Sequence, residues 1–173
     1  KSKIPVTAWI LLPKEEGYWT NLETIQQTEI RYQQFVDWKG KYNLEFAAVG
    51  LDIEPKLQTL SQLRNNPVKE ILCLLRKLIY NHSSLQNEIE AQALIEKIRS
   101  DGFAIETYQF PVILDERSAR SNVLAKILGI TSFFADREVL MLYSSFFNSY
   151  PDSILWSYAK QSSCWIRQHW WWC

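Results

Sequence analysis

The chain has 173 residues, 47% of them hydrophobic and 22% charged, which excludes an intrinsically disordered protein and allows a packed core. Nineteen basic and nineteen acidic residues cancel, so the usual electrostatic reason to expect nucleic acid as a partner is missing. No apolar run reaches the roughly 18 residues that a transmembrane helix needs, and no segment resembles a signal peptide. Because the chain begins at Lys1 rather than at a methionine, the sequence leaves the localisation open.

The first half of the chain has the pattern of a strand, a helix and a second strand. Residues 6–12 are a short apolar run, which predicts the first strand. The segment Thr20–Glu23 has the spacing of a capping box, which predicts the start of a helix that ends near Gly40. Residues 46–53 are apolar almost throughout, as is typical of a buried strand in a parallel sheet. Two further helices are predicted at 56–63 and 67–79.

The second half continues this alternation. A helix is predicted at 85–99 and a third strand at 103–110. Because Pro111 interrupts that strand, residues 111–117 are expected to be extended or looping. The remaining elements are a helix at 121–128, a fourth strand at 138–144 and a last helix at 153–161.

Strands that alternate with helices predict parallel βαβ units, in either an open doubly wound sheet or a closed barrel. The loop at residues 13–17 is acidic and bulky, without the glycines of a dinucleotide or phosphate site, which argues against the doubly wound fold. Polar residues cluster instead at the C-terminal ends of the later strands, where barrels build their active sites. We therefore predict that residues 1–161 form a partial (β/α)₈ TIM barrel, which holds about half of a barrel, since a complete one takes ~250 residues.

Neither a metal nor another cofactor is indicated by the histidines and cysteines. His82 and His169 are far apart in the sequence, and no C-x-x-C pair occurs. A His/Cys metal site is therefore not expected.

Residues 162–173 have neither helical nor strand periodicity and contain four of the eight tryptophans. Tryptophan has a single codon, TGG, so Trp170–Trp172 would be read as glycines or valines in the two shifted frames. Such residues would suit the turn and strand of a further βα unit. We hypothesise a frameshift close to residue 161. The alternative is a genuine aromatic tail that binds a partner.

The best candidate for chemistry is the pair of carboxyl groups at the end of the second predicted strand. Because side chains alternate along a strand, Gly50, Asp52 and Glu54 share one face, and Leu51 and Ile53 the other. Two carboxyl groups so close in a partly dry cleft cannot both ionise freely, so one is expected to keep its proton near neutral pH. Such a pair suits a general acid with an electrostatic partner. The alternative is a strand that merely ends in acidic residues at the solvent.

This segment resembles the fourth strand of the chitinase-like glycoside hydrolases, a (β/α)₈ family with the pattern D-x-x-D-x-D-x-E. On that pattern Glu54 matches the catalytic acid, and Asp52 matches the aspartate that orients the acetamido group of the substrate. The two earlier aspartates of the pattern are replaced by Ala47 and Gly50. The resemblance implies a barrel that acts on or binds a saccharide.

A second short motif of the same family is M-x-Y followed by aspartate on the sixth strand, whose tyrosine assists at the sugar. Residues Met141–Tyr143 match it, and Ser144 stands in place of the aspartate. The resemblance therefore implies Tyr143 as a third catalytic residue.

Other polar and aromatic positions are candidates to line a saccharide cleft. Glu106 and Tyr108 alternate onto one face of the third predicted strand, and Thr107 and Gln109 onto the other. Aromatic rings stack on sugar faces, which makes Tyr108 and Trp156 candidates for contact with substrate. We predict substrate contacts at Glu106, Tyr108, Gln109 and Trp156. The alternative for the aromatic residues is a place in the hydrophobic core.

The sequence thus predicts a glycoside hydrolase-like domain with Glu54 as general acid, Asp52 as its partner, a saccharide as ligand and no cofactor. A non-catalytic barrel that binds a saccharide or a protein is the first alternative, favoured by the departures from the family pattern. A Mg²⁺-dependent barrel enzyme that uses Asp52, Glu54 and Glu106 as oxygen ligands is the second.

Overall fold

The computed structural model of the chain describes residues 4–55, 84–130 and 135–141, together with residues 65, 66, 69, 72, 73, 76, 157 and 158. Within these residues the strands are β1 (Thr7–Ile10), β2 (Ala48–Ile53), β3 (Ala104–Gln109) and β4 (Arg137–Leu140). The α-helices that lie within the described residues are α1 (Ile25–Tyr42), α2 (Ser84–Ser100), α3 (Val112–Ser118) and α4 (Val123–Leu128), and a 3-10 turn covers Lys14–Glu16.

The four described strands form one parallel sheet in the order β1-β2-β3-β4, so each strand lies beside its neighbour in the sequence. The alternation of parallel strands with helices confirms the predicted α/β class. The register places Trp9, Gly50, Glu106 and Arg137 on one level across the sheet. Asp52 and Tyr108 are paired on the level that follows, toward the C-terminal ends of the strands.

One face of the sheet packs on the helices and forms the core. Val49, Leu51 and Ile53 of β2 are at most 1% exposed, and they belong to the same buried cluster as Ile95 and Ile98 of α2. Burial of each such aliphatic side chain stabilises the fold by about 1.5–3 kcal/mol. The predicted alternation along β2 is therefore confirmed, because its odd-numbered residues are the ones in the core. We call the opposite side of the sheet the site face.

Helix α1 does not begin at the predicted capping box. Thr20 instead forms an isolated parallel bridge with Ile53, and the helix begins at Ile25. The side chain of Thr24 accepts a hydrogen bond of 2.9 Å from the backbone nitrogen of Asn21. The prediction was wrong because a contact with β2, distant in sequence, holds Thr20 in an extended conformation.

A second difference concerns residues 111–117, where the structure has helix α3 in place of the expected loop. Pro111 precedes the helix with φ −61° and ψ −25°, a helical geometry. Proline is tolerated at a helix start because the first turn needs no backbone N–H donor. Ile113 is 4% exposed, so the short helix buries an apolar side chain against the core.

Several predicted elements lie outside the described residues. These are the helix at 56–63, the end of the fourth strand at 142–144, the tail at 162–173, and most of the helices at 67–79 and 153–161. Among the helices that are described, none combines the length and the apolar character needed to cross a bilayer.

Candidate functional site

The C-terminal end of β2 is held by the segment that follows β1. The backbone nitrogen of Thr20 donates a hydrogen bond of 2.9 Å to the carbonyl oxygen of Asp52. The side-chain amide of Asn21, which is 2% exposed, donates one of 3.2 Å to the carbonyl oxygen of Glu54. The same side chain accepts from the backbone nitrogen of Glu23 at 3.0 Å. Asn21 therefore joins the turn that precedes α1 to the strand end that carries the carboxyl groups.

Asp52 and Glu54, which we call the carboxyl pair, are buried together. Their exposed fractions are 4% and 5%, and a hydrogen bond connects the two side chains. Side chains two residues apart along an extended chain point to the same side, so the pair shares the site face as predicted from the alternation.

Burial changes the protonation of both groups. It raises the pKa of Asp52 to about 7, although the hydrogen bond from Glu54 acts in the opposite direction. Burial raises the pKa of Glu54 to about 8, and the charge of Asp52 and the shared hydrogen bond raise it further. Because burial raises the pKa of both carboxyl groups into the neutral range, the pair holds a proton near neutral pH.

One oxygen of the pair has no partner among the described residues. The Oδ1 atom of Asp52 is fully buried and accepts no hydrogen bond there. A buried carboxylate oxygen without a donor costs about 1–3 kcal/mol or more, so such atoms in native proteins call for an explanation. A bound ligand that donates an N–H or O–H group to Oδ1 would satisfy it.

Glu106 lies on the same face, one strand away from the carboxyl pair. Its carboxylate accepts hydrogen bonds from the Tyr108 hydroxyl at 2.8 Å, from a guanidinium nitrogen of Arg137 at 3.3 Å and from the Thr7 hydroxyl at 3.5 Å. Glu106 is 8% exposed, whereas the side chain of Arg137 is 66% exposed. The three contacts join β1, β3 and β4 across the site face.

The ring of Tyr108 crosses β2 and stacks on Trp9 of β1. The two ring centroids are 4.8 Å apart and the planes differ by 25°. Gly50 leaves room for this arrangement, because a Cβ atom at that position would lie 3.0 Å from Cε2 of Tyr108 and 3.3 Å from Cγ2 of Thr7, and the two side chains would have to move slightly. We call Trp9 and Tyr108 the aromatic floor.

Of the predicted substrate contacts, the structure brings Glu106 and Tyr108 to the site face but not Gln109. Gln109 is 1% exposed on the helix side of β3, where its amide nitrogen donates to Thr107 at 2.9 Å and to Glu138 at 3.3 Å. Tyr143 and Trp156 lie outside the described residues. The neighbouring Met141 is buried and donates its backbone N–H to the carbonyl oxygen of Gln109 at 2.9 Å.

Four residues of the site were not predicted. Trp9 and Thr7 belong to the first predicted strand, for which the sequence indicates no functional role. The period-two alternation does place the two residues on one face of that strand. Arg137 and Asn21 gave no signal, because their contacts depend on how distant segments are paired.

No three His, Cys, Asp or Glu side chains of the described residues converge in a way that would hold a metal ion. Asp52, Glu54 and Glu106 therefore lack the arrangement that the Mg²⁺-dependent alternative requires.

Comparisons of the chain with protein-family models, with curated proteins and with solved structures give no significant match. The function has to be inferred from the residues of the site and their geometry.

Proposed function

We propose that this chain is a glycoside hydrolase-like domain of partial (β/α)₈ architecture that acts on a saccharide, with Glu54 as the general acid and Asp52 as its partner. The observation that carries the proposal is the carboxyl pair: two buried, hydrogen-bonded carboxyl groups at the C-terminal end of a parallel strand, of which one keeps its proton near neutral pH.

The barrel is favoured over a doubly wound sheet by the strand order. A doubly wound sheet reverses its strand order at a switch point, whereas consecutive strands of a barrel remain neighbours. The described strands follow the chain without reversal. On the resemblance, β2 corresponds to the fourth strand of the glycosidase barrel and β4 to the sixth, and in the sheet they are separated by β3 alone.

The chemistry follows from the protonation of the pair. Glu54 donates its proton to the glycosidic oxygen as the bond from that oxygen to the anomeric carbon breaks, and the leaving sugar departs as an alcohol. Positive charge develops on the remaining sugar ring, and the Asp52 carboxylate stabilises it electrostatically. Glu54, now ionised, takes the proton from the water that attacks the anomeric carbon, which restores the acid.

The second candidate is a barrel that binds a saccharide without cleaving it. A specific observation favours it: the space beside Gly50, where the hydrolase pattern has an aspartate, is occupied by the ring of Tyr108. The nearest carboxylate at that level is Glu106, which already accepts three hydrogen bonds.

The test is turnover of fluorogenic aryl glycosides of N-acetylglucosamine and glucose oligomers by the chain and by its Glu54→Gln variant. The substitution keeps the size of the side chain and removes the transferable proton, so kcat is expected to fall by about 100-fold or more. Glu29→Gln, an exposed position on α1, is the matched control and should keep full activity. Equal turnover by Glu54→Gln and Glu29→Gln would exclude Glu54 as the acid, and saccharide binding without turnover by the unmodified chain would support the second candidate.

A further inference from the structure

Trp9 of the aromatic floor lies one register level before Asp52 on the same side of the sheet, whereas Tyr108 is paired with Asp52 itself. Trp9 is aligned with Gly50, and Asp52 and Glu54 follow Gly50 by two and four residues along the same direction. At the strand rise of about 3.3 Å per residue, the floor begins about 7 Å from the level of Asp52 and about 13 Å from that of Glu54. A short oligosaccharide held at the carboxyl pair would therefore extend over the floor.

Trp9 stands out from its surroundings by its exposure. Its flanking residues Ala8 and Ile10 are 8% and 6% exposed, and Gly50 beneath the rings is buried, yet Trp9 is 51% exposed. A single exposed apolar residue needs no explanation by itself. Here, however, the ring is held by stacking on Tyr108, which lies closely over Gly50 in the neighbouring strand. The exposed ring is therefore both large and held in one orientation.

Three polar side chains lie next to the aromatic floor. The carboxylate of Glu106 is hydrogen-bonded to the Tyr108 hydroxyl, and the largely exposed side chain of Arg137 extends from it toward solvent. Thr7 lies on the other side, beside Gly50. A flat apolar surface bordered by a carboxylate, a guanidinium and a hydroxyl matches a pyranose ring, whose two faces present C–H groups and whose edge presents hydroxyls.

We infer that Trp9 and Tyr108 bind one pyranose ring of the saccharide by stacking, with Glu106 and Arg137 as hydrogen-bonding partners for its hydroxyls. The inference rests on the proposed function, because the carboxyl pair supplies the reason to expect a saccharide. It adds to that function a second binding position, next to the place where the glycosidic bond is cleaved.

The experiment measures the binding of chitotetraose and cellotetraose by isothermal titration calorimetry to the 173-residue chain carrying Glu54→Gln, so that turnover does not interfere. Trp9→Thr removes the ring and keeps a residue that suits a strand. Trp9→Tyr keeps a ring as a second variant, and thermal melts show that each variant is folded. Trp38→Ala is the matched control, since Trp38 on α1 is 47% exposed and contacts Tyr42 and Phe46 instead of the site.

Loss of one stacked ring is expected to raise the Kd of the better-bound tetrasaccharide about tenfold or more in Trp9→Thr. Trp9→Tyr should stay within about threefold of the parent, and Trp38→Ala should not change the Kd. Unchanged affinity in Trp9→Thr would overturn the inference, as would an equal loss in Trp38→Ala or a parent chain that binds neither tetrasaccharide.

The failure of this inference differs from the failure of the proposed function. If Glu54→Gln abolishes turnover while Trp9→Thr binds the tetrasaccharide normally, only the role of the aromatic floor in binding is refuted. If Glu54→Gln keeps turnover while Trp9→Thr loses binding, the floor stands and the catalytic role of Glu54 is refuted.

Discussion

The buried carboxyl groups of Asp52 and Glu54, two residues apart at the C-terminal end of β2, share a hydrogen bond. Two such groups would both be ionised in water at neutral pH. Here burial raises the pKa of both of them, and the second ionisation has to place a negative charge next to an existing one. Both the activity and the stability of the protein should therefore depend on pH in the neutral range.

The first prediction concerns the pH dependence of activity. A general acid works only while it is protonated, and the pKa of Glu54 is raised to about 8. We expect kcat/KM for an aryl glycoside to be highest between about pH 7 and 8, to fall below this range as the Asp52 carboxylate is protonated, and to fall above it as Glu54 loses its proton. A glutamate with an ordinary pKa, near 4.3, would give a fall in the acidic range instead. A pH profile whose alkaline limb lies below about pH 6 would contradict the assignment.

The second prediction concerns the pH dependence of stability. Since the pKa values of the pair are about 7 and 8 in the folded state and near 4 in the unfolded chain, the folded state holds more protons between these limits. Stability contributed by the pair is therefore complete below about pH 4 and is lost as the pH rises through 7 to 8.

The measurement is a set of thermal melts at about pH 5 and about pH 8.5. A change of 1 kcal/mol moves the melting temperature of a chain of this size by about 2–4 °C, and we expect a fall of several degrees toward the higher pH. The double variant Asp52→Asn, Glu54→Gln should show a smaller fall, because the titrating groups are gone. An equal fall in melting temperature for the parent and the double variant would mean that other groups cause the pH dependence.

Asn21 is expected to be needed for the geometry of the site as well as for stability. Asn21→Ala removes a hydrogen bond to the carbonyl oxygen of Glu54 and another to the backbone of Glu23, both at a buried position. The free energy of unfolding should fall by about 1–3 kcal/mol, and kcat should fall more than KM rises, because Glu54 is displaced. Urea denaturation and steady-state kinetics measure the two effects. Gln33→Ala, exposed on α1, should change neither, and an Asn21→Ala protein with unaltered kinetics would show that the contact serves stability alone.

The ion pair between Arg117 of α3 and Glu138 of β4 is expected to depend on the shape of the guanidinium. Its two nitrogens donate to the two carboxylate oxygens of Glu138, each at 2.7 Å. Arg117→Lys keeps the charge but loses the two parallel hydrogen bonds. The free energy of unfolding should therefore fall by up to about 1 kcal/mol, and no more, because the pair is partly exposed to solvent. Lys97 and Asp101, a similarly exposed pair at 3.4 Å on α2, provide the control. If Lys97→Gln destabilises the protein as much as Arg117→Lys does, the two parallel hydrogen bonds of Arg117 add nothing to stability beyond an ordinary ion pair.

The period-two pattern of the strands was sufficient to predict which side of the sheet carries the carboxyl pair. Leu51 and Ile53 are in the core, and Asp52 is on the opposite face, as the alternation requires. The same reasoning separated Glu106 and Tyr108 from Thr107 and Gln109, and the hydrogen bonds within each of these two pairs confirm it. Side-chain direction within a strand is a local property, so the sequence carries it.

The contacts between strands were not predictable in this way. That Tyr108 reaches Trp9 depends on which strands are neighbours, on their register and on the lack of a side chain at Gly50. The misplaced start of α1 has a similar origin, since Thr20 pairs with Ile53. A capping pattern competes with such tertiary contacts, and here the strand pairing wins.

The order of the strands in the sheet determines when, during synthesis, the carboxyl groups of Asp52 and Glu54 become buried. β2 can pair with β1 as soon as both have left the ribosome, but β3 is added only after α2 has been made. At about 5–20 residues per second, the delay lasts seconds. During that time the side of Asp52 where Tyr108 will pair is still open to water, and both carboxyl groups are ionised. Docking of β3 buries the carboxyl pair, so the rise of its pKa values and the uptake of a proton from the solvent belong to that step of folding.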